Sequence, residues 1–225
     1  MTVPRAVAAA ILVAAACPAG TWFEIGDAGR LPVTGQVTIG PGPLDTIFGD
    51  LSDPDPAFSA VDVDLYLIRI VDPLNFSAGT VDAPGFYVSD PQLFLFDEMG
   101  FGIYMNDDDE SGLSGSQSLL PAGHPSGPTV PGLYFLGIGW WNNEPLSAGG
   151  QIFSTASASG TNGPDLGAGG GDPLTGWSDD VLARLDIETA YEISLTGAVF
   201  AIPEPAVFLL VGPALGWFAW RRRRH

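Results

Sequence analysis

Lysine is absent from the 225-residue chain, cysteine occurs once, and histidine twice. Each scarcity excludes a class of chemistry. Without lysine there is no Schiff-base amine and no phosphate-cradling loop, which pairs its glycines with a basic side chain. One cysteine rules out a disulfide scaffold, and with so few histidines a zinc site has no ligand set. Nucleophilic catalysis needs a base beside its nucleophile, and only His124 and His225 are on offer. His124 lies in the turn-like Pro121-Ala122-Gly123-His124-Pro125, where a loop role is the simpler reading.

Positive charge is scarce as well. All eight basic residues are Arg, and five of them sit at the ends: Arg5, and Arg221 to Arg224. All of the 26 acidic residues except Glu204 fall between Pro18 and Ile202, where only Arg30, Arg69 and Arg184 oppose them. Such a surface repels phosphate backbones, so no nucleic-acid partner is expected; cations are its natural counterpart. The 46% hydrophobic content excludes a disordered chain, and the length suits one domain with extensions at both ends.

Residues 1–19 have the order of a secretory signal peptide, a helical segment removed by signal peptidase: Arg5, an apolar run from Ala6 to Ala16, then small residues. Cleavage after Ala16 or Ala19 fits the pattern, and a lipoprotein signal ending at Cys17 is the alternative. At the other end, Pro203-Glu204-Pro205 precedes the apolar stretch Ala206 to Trp220 and the closing Arg221-Arg222-Arg223-Arg224-His225. Fifteen apolar residues at ~1.5 Å each make a transmembrane helix of roughly 22 Å, short for a ~30 Å hydrocarbon core. Arginines remain on the cytoplasmic side, which places the acidic domain outside.

This tripartite end, residues 202–225, resembles the PEP-CTERM sorting segment of Gram-negative bacteria. The resemblance implies export across the inner membrane, transient anchoring by the C-terminal helix, and processing near Pro203, Glu204 and Pro205 by an exosortase-type membrane protease. It further implies a destination at the cell surface or outside it, in the setting of exopolysaccharide and biofilm. On this reading the three motif residues are substrate for another enzyme.

Between Thr34 and Val199, short apolar runs alternate with Gly, Pro, Asp and Asn. That punctuation predicts an all-β domain over residues 20–200, a β-sandwich. Strands are expected at Val33–Ile39, Val63–Ile70, Asn75–Val81, Gln92–Phe96, Gly102–Met105, Leu133–Ile138 and Tyr191–Val199. Beyond Asp64 the first long run is apolar on both faces, as in a central strand of a sheet covered on both sides. The segment 149–172 carries eight glycines and no strand pattern, and reads as a flexible surface loop.

In order, Asp62-Val63-Asp64-Leu65-Tyr66, Asn75 to Thr80, Asp90 to Gly100, Asn106-Asp107-Asp108, Pro131 to Leu136, Leu174 to Trp177 and Tyr191 to Gly197 resemble the bacterial pre-peptidase C-terminal (PPC) domain, from which the chain departs in its insertion, Gly149 to Asp172. That likeness implies a jelly-roll-like sandwich.

One ligand suits the composition. Calcium takes six to eight oxygens, and Asp62, Asp64, Asn106, Asp107 and Asp108 are candidate ligands, with Asp53 and Asp55 close in sequence. No EF-hand loop is present, and a solvated acidic turn is the plainer alternative. Trp140 and Trp177 are expected in the core, leaving Trp141 as a candidate for stacking on a glycan. The chain is thus expected to be a non-enzymatic surface protein associated with extracellular polysaccharide. A carboxylate-based glycan hydrolase and a passive export or folding module are the alternatives.

Overall fold

The computed structural model describes residues 20–52, 61–81, 88–109, 116–153, 160–167, 169–179 and 189–203. The expected signal peptide, the C-terminal helix with its arginines, Glu204, Pro205, Asp53 and Asp55 lie outside the described residues. Among those described, no helix is long and apolar enough to cross a membrane.

The described chain is all-β. Its strands are β1 (Thr21–Phe23), β2 (Gln36–Val37), β3 (Thr46–Asp50), β4 (Val63–Ile70), β5 (Ser77–Thr80), β6 (Pro91–Asp97), β7 (Gly102–Asn106) and β8 (Leu119–Leu120). They continue with β9 (Gly132–Trp140), β10 (Pro145–Ser147), β11 (Gly150–Gln151), β12 (Thr161–Asn162), β13 (Leu174–Trp177), β14 (Ala190–Thr196) and β15 (Ala198–Phe200).

Three sheets result. The central one runs β12-β7-β6-β9-β4-β15, with β2 parallel to β4. The second runs β1-β3-β14-β5-β8, and a small third one β11-β10-β13. In the central sheet, β4 and β9 pair antiparallel along their length, from Val63↔Gly139 to Ile70↔Gly132.

Alternation of side chains along these strands creates two apolar layers. On one face Tyr66, Ile68, Ile70, Leu93, Leu95, Tyr104, Leu136 and Ile138 meet Ile47, Ala78, Leu120, Ile193 and Leu195 of the second sheet. On the other, Val63, Leu65, Phe94, Phe96 and Phe135 meet Ile152, Phe153, Leu174 and Trp177. Phe94 and Phe96 present their rings to the edge of Trp177, at centroid distances of 5.3 and 6.4 Å. Each such side chain contributes roughly 1.5–3 kcal/mol through burial. The central sheet is therefore covered on both sides, which is why β4 is apolar on both faces.

Several elements differ from the sequence reading. Of Val33–Ile39 only Gln36–Val37 is strand; Thr34 and Gly35 both donate to the Leu31 carbonyl in a tight turn. The run Tyr191–Val199 is two strands in two sheets, divided at Gly197 (φ 70°). A Cβ there would lie 2.7 Å from the Asp72 carbonyl oxygen, so glycine is required on both counts. The Gly-rich segment 149–172 is not wholly a surface loop: it supplies β11 and β12, and its Ile152 and Phe153 are fully buried. Trp140 and Trp177 are buried, as expected.

Candidate functional site

The expected ligands do not assemble into one site. Asp64 joins Glu24 and Asp27, whereas Asp107 and Asp108 join Asp90; in each group one carboxylate oxygen per residue lies within 4.8 Å of the others. Cross-strand register separates the two places. Asp64 pairs with Ile138, Ile138 with Leu93, and Leu93 with Asn106, so three strand spacings, roughly 14 Å, intervene. Asp62 belongs to neither group; its Oδ1 accepts from the N–H of Val63 at 2.8 Å. Asn106 serves the turn instead: its Nδ2 donates to the Asp108 carbonyl at 3.0 Å and its Oδ1 accepts from Leu119 N–H at 2.7 Å.

The first group lies where β1 approaches β4. Glu24 ties its own turn to the end of β3, accepting from the N–H groups of Ala28 at 2.9 Å and Asp50 at 2.8 Å. Burial pushes its carboxyl up to about 7; the two backbone donors oppose this, and the Asp27 and Asp50 charges add to it. Asp64 faces the core between the two large sheets, where its Oδ2 accepts from the hydroxyl of Tyr191, which in turn contacts the Tyr66 hydroxyl at 2.5 Å. Burial first, then the charges of Glu24 and Asp62, hold Asp64 well above the usual carboxylate range. A protonated Asp64 is thus a neutral member of a hydroxyl chain.

The second group sits at one end of the central sheet. Asp90 immediately precedes β6, Asp107 and Asp108 follow β7, and Glu144 follows the turn leaving β9. Ser118 fastens this end: the carbonyls of Asp107, Pro91 and Asn106 all lie within hydrogen-bond reach of its hydroxyl, whose single proton they share. Asp107, Glu144 and Gln92 are only 5%, 4% and 2% exposed. The Gln92 amide hydrogen-bonds both carboxyls. Even so, Asp107 Oδ1, Glu144 Oε2 and Gln92 Oε1 are buried with no hydrogen-bond partner. Burial pushes Asp107 up to about 7, reinforced by the negative charges of Asp90, Asp108 and Glu144, and it pushes Glu144 to about 7 as well.

The remaining candidates are placed as follows. Trp141 is half-buried at the rim of the second group, its N–H donating to the Asp90 carbonyl at 2.9 Å. His124 Nδ1 accepts from Ser126 N–H at 3.2 Å, and its ring stacks on Tyr104 with centroids 6.1 Å apart. Pro203 is exposed just past β15.

Glu24, Asp27, Asp90, Glu144 and Gln92 were not among the residues singled out from sequence. A signal existed for two of them. Asp90-Pro91 and Glu144-Pro145 each set an acid directly before a proline that opens a strand, which places both acids at strand ends.

Compared with known proteins, the chain matches no family model and no curated protein sequence.

Proposed function

We propose that this chain is a secreted, surface-sorted, non-enzymatic domain of the jelly-roll-like β-sandwich kind, processed at its C-terminus by an exosortase-type protease and associated with extracellular polysaccharide. The observation that carries the reading is the tripartite end: Pro203-Glu204-Pro205, the apolar Ala206 to Trp220, and Arg221 to Arg224. The all-β domain before it supports the reading, since layered sheets suit a robust extracellular module. Export through the signal peptide and removal of the C-terminal segment would leave the acidic domain as the mature protein. The PPC-like order of motifs agrees with such a role.

The arrangement of the acids also favours a non-enzymatic reading over the hydrolase. Glycosidases set two carboxyl groups roughly 5–9.5 Å apart across a sugar. Here three carboxylates converge on a point, twice.

The test is the intact mass of the protein recovered from the native cell surface and medium. The expected result is loss of residues 1 to about 19 and of the segment following Pro205. Retention of the C-terminal segment in all of the recovered protein overturns the sorting account.

A further inference from the structure

We infer that the end of the central sheet bearing Asp90, Asp107 and Asp108 is a calcium site, with Glu144 and Gln92 standing directly behind it. The inference goes beyond the sorting reading and does not depend on it.

The convergence of three carboxylates is only the first ground, because acidic turns are common on a surface this negative. The second is the state of the groups behind them. A buried acceptor without a donor costs about 1–3 kcal/mol, so native structures leave few of them. At this one place three buried acceptors lack partners: Asp107 Oδ1, Glu144 Oε2 and Gln92 Oε1. One of the three belongs to a neutral amide, so the pattern is more than repelling acids turned away from each other. Protonating one of the two acids turns one of these oxygens into a donor, which can satisfy only one of the remaining two acceptors. A cation satisfies several at once.

The donor set then selects the ion. All the available atoms are oxygens, with no thiol or imidazole, which disfavours zinc. The ligands come from two chain segments of a sheet end, with Glu144 of a third behind them, a mixture of carboxylates with an amide carbonyl at hand. Calcium accepts such a set at six to eight oxygens and irregular angles, whereas magnesium demands a near-ideal octahedron and keeps several waters. The scaffold is already in place: β6, β7 and β9 hold the three segments in register, and Ser118 and Asn106 fix the 106–108 turn from inside.

The experiment uses the full chain purified in detergent, stripped with EGTA, and titrated with calcium chloride by calorimetry and thermal melting. A site of the extracellular type has a Kd of about 0.1–1 mM. At tenfold saturation the expected rise in Tm is roughly 3–6 °C. Magnesium at the same concentration should give less than half that shift. Asp107→Asn removes a ligand charge while preserving shape, and Asp108→Asn does the same at a half-buried position where folding is not at stake. Both should abolish the calcium shift, whereas Asp27→Asn, in the other acidic group, should retain it. No calcium-dependent shift in the unaltered chain overturns the inference. So does a full shift in Asp108→Asn, a shift lost only in Asp27→Asn, or magnesium acting as strongly as calcium.

Discussion

Replacing Tyr191 by Phe removes one oxygen from the core and should cost far more than that atom's size suggests. Tyr191 Oη sits between two buried groups, donating to Asp64 Oδ2 and contacting Tyr66 Oη. Asp64 Oδ1 already lacks a partner, so in Tyr191→Phe the carboxyl is left with neither oxygen satisfied. The Tyr66 hydroxyl loses its partner at the same time. Two stranded polar groups at about 1–3 kcal/mol each give a loss of roughly 2–6 kcal/mol. Burial raises the Asp64 carboxyl well above its usual range and so favours the neutral acid, which keeps the cost below the larger one of a stranded carboxylate. For a domain of this size about 1 kcal/mol moves Tm by roughly 2–4 °C, and the expected fall is on the order of 5–15 °C. Tyr66→Phe spares the Tyr191–Asp64 bond and should cost about 1 kcal/mol. Because the two hydroxyls share one interaction, the double variant should lose less than the sum of the singles. Thermal and urea melts followed by circular dichroism provide the measurement. A Tyr191→Phe melt indistinguishable from the parent, or a Tyr66→Phe loss of equal size, refutes the hydroxyl chain.

Gly49 lies on β3 opposite Tyr191, and an added Cβ would run into Tyr191 Oη, with Tyr66 Oη at 2.7 Å; Gly49→Ala should therefore destabilise by about 1–3 kcal/mol in a urea melt. Phe153→Ala should cost ~3–5 kcal/mol, since the ring is fully buried against Phe94 and Phe96; a mere loop position would give less than ~0.5 kcal/mol. In EGTA, stability should fall as pH rises through the range from about 4.5 to about 7. Glu24, with its carboxyl raised to about 7, binds a proton in the folded state there that the unfolded chain has released. The charges of Asp27 and Asp50 act on it in the same direction, and the buried Asp64 carboxyl faces it, so no described cation reverses the sign. Melts between about pH 5 and pH 8 should show Tm declining by several degrees, and Glu24→Gln should lessen the slope, with Asp107 and Glu144, likewise raised to about 7, keeping the remainder; a Tm that climbs over this range contradicts the assignment.

What could be read in advance followed from local pattern. The strand Val63–Ile70 has the same bounds in sequence and structure, because the run beyond Asp64 is apolar on both faces, interrupted only by Arg69, and leaves little choice for a chain of this length. Asp107 and Asp108 stood out because they adjoin one another. Asp90 and Glu144 reach them only through the pairing of β6 with β7 and β9, a register set by contacts far apart in sequence. Glu24 was illegible for the same reason: it approaches Asp64 through the second sheet, whose β1 and β3 are short and weakly patterned. The burial of Ile152 and Phe153 was masked by the glycines around them, since two apolar residues in a polar stretch establish no periodicity. Conversely, Tyr191–Val199 reads as one run of strand-forming residues, and composition alone does not report that a single left-handed residue shifts burial from Tyr191, Ile193 and Leu195 to Ala198 and Phe200 and carries the chain from one sheet to another.

That crossing at Gly197 has a mechanical meaning. β14 lies inside the second sheet, flanked by β3 and β5, while β15, one residue later, is laid along β4 in the central sheet. The chain then leaves at Pro203, after Ile202 bridges to Ile39. Tension applied to the C-terminal end therefore meets the hydrogen bonds of Ile202 with Thr38 and Gly40 first, then the three pairs of β15 with β4, and any load that passes them is handed through one glycine to the middle of the other sheet. Since β15 is the edge strand of the central sheet, a pull on the tail loads that edge first, before any force reaches β14, which two neighbours hold inside the second sheet.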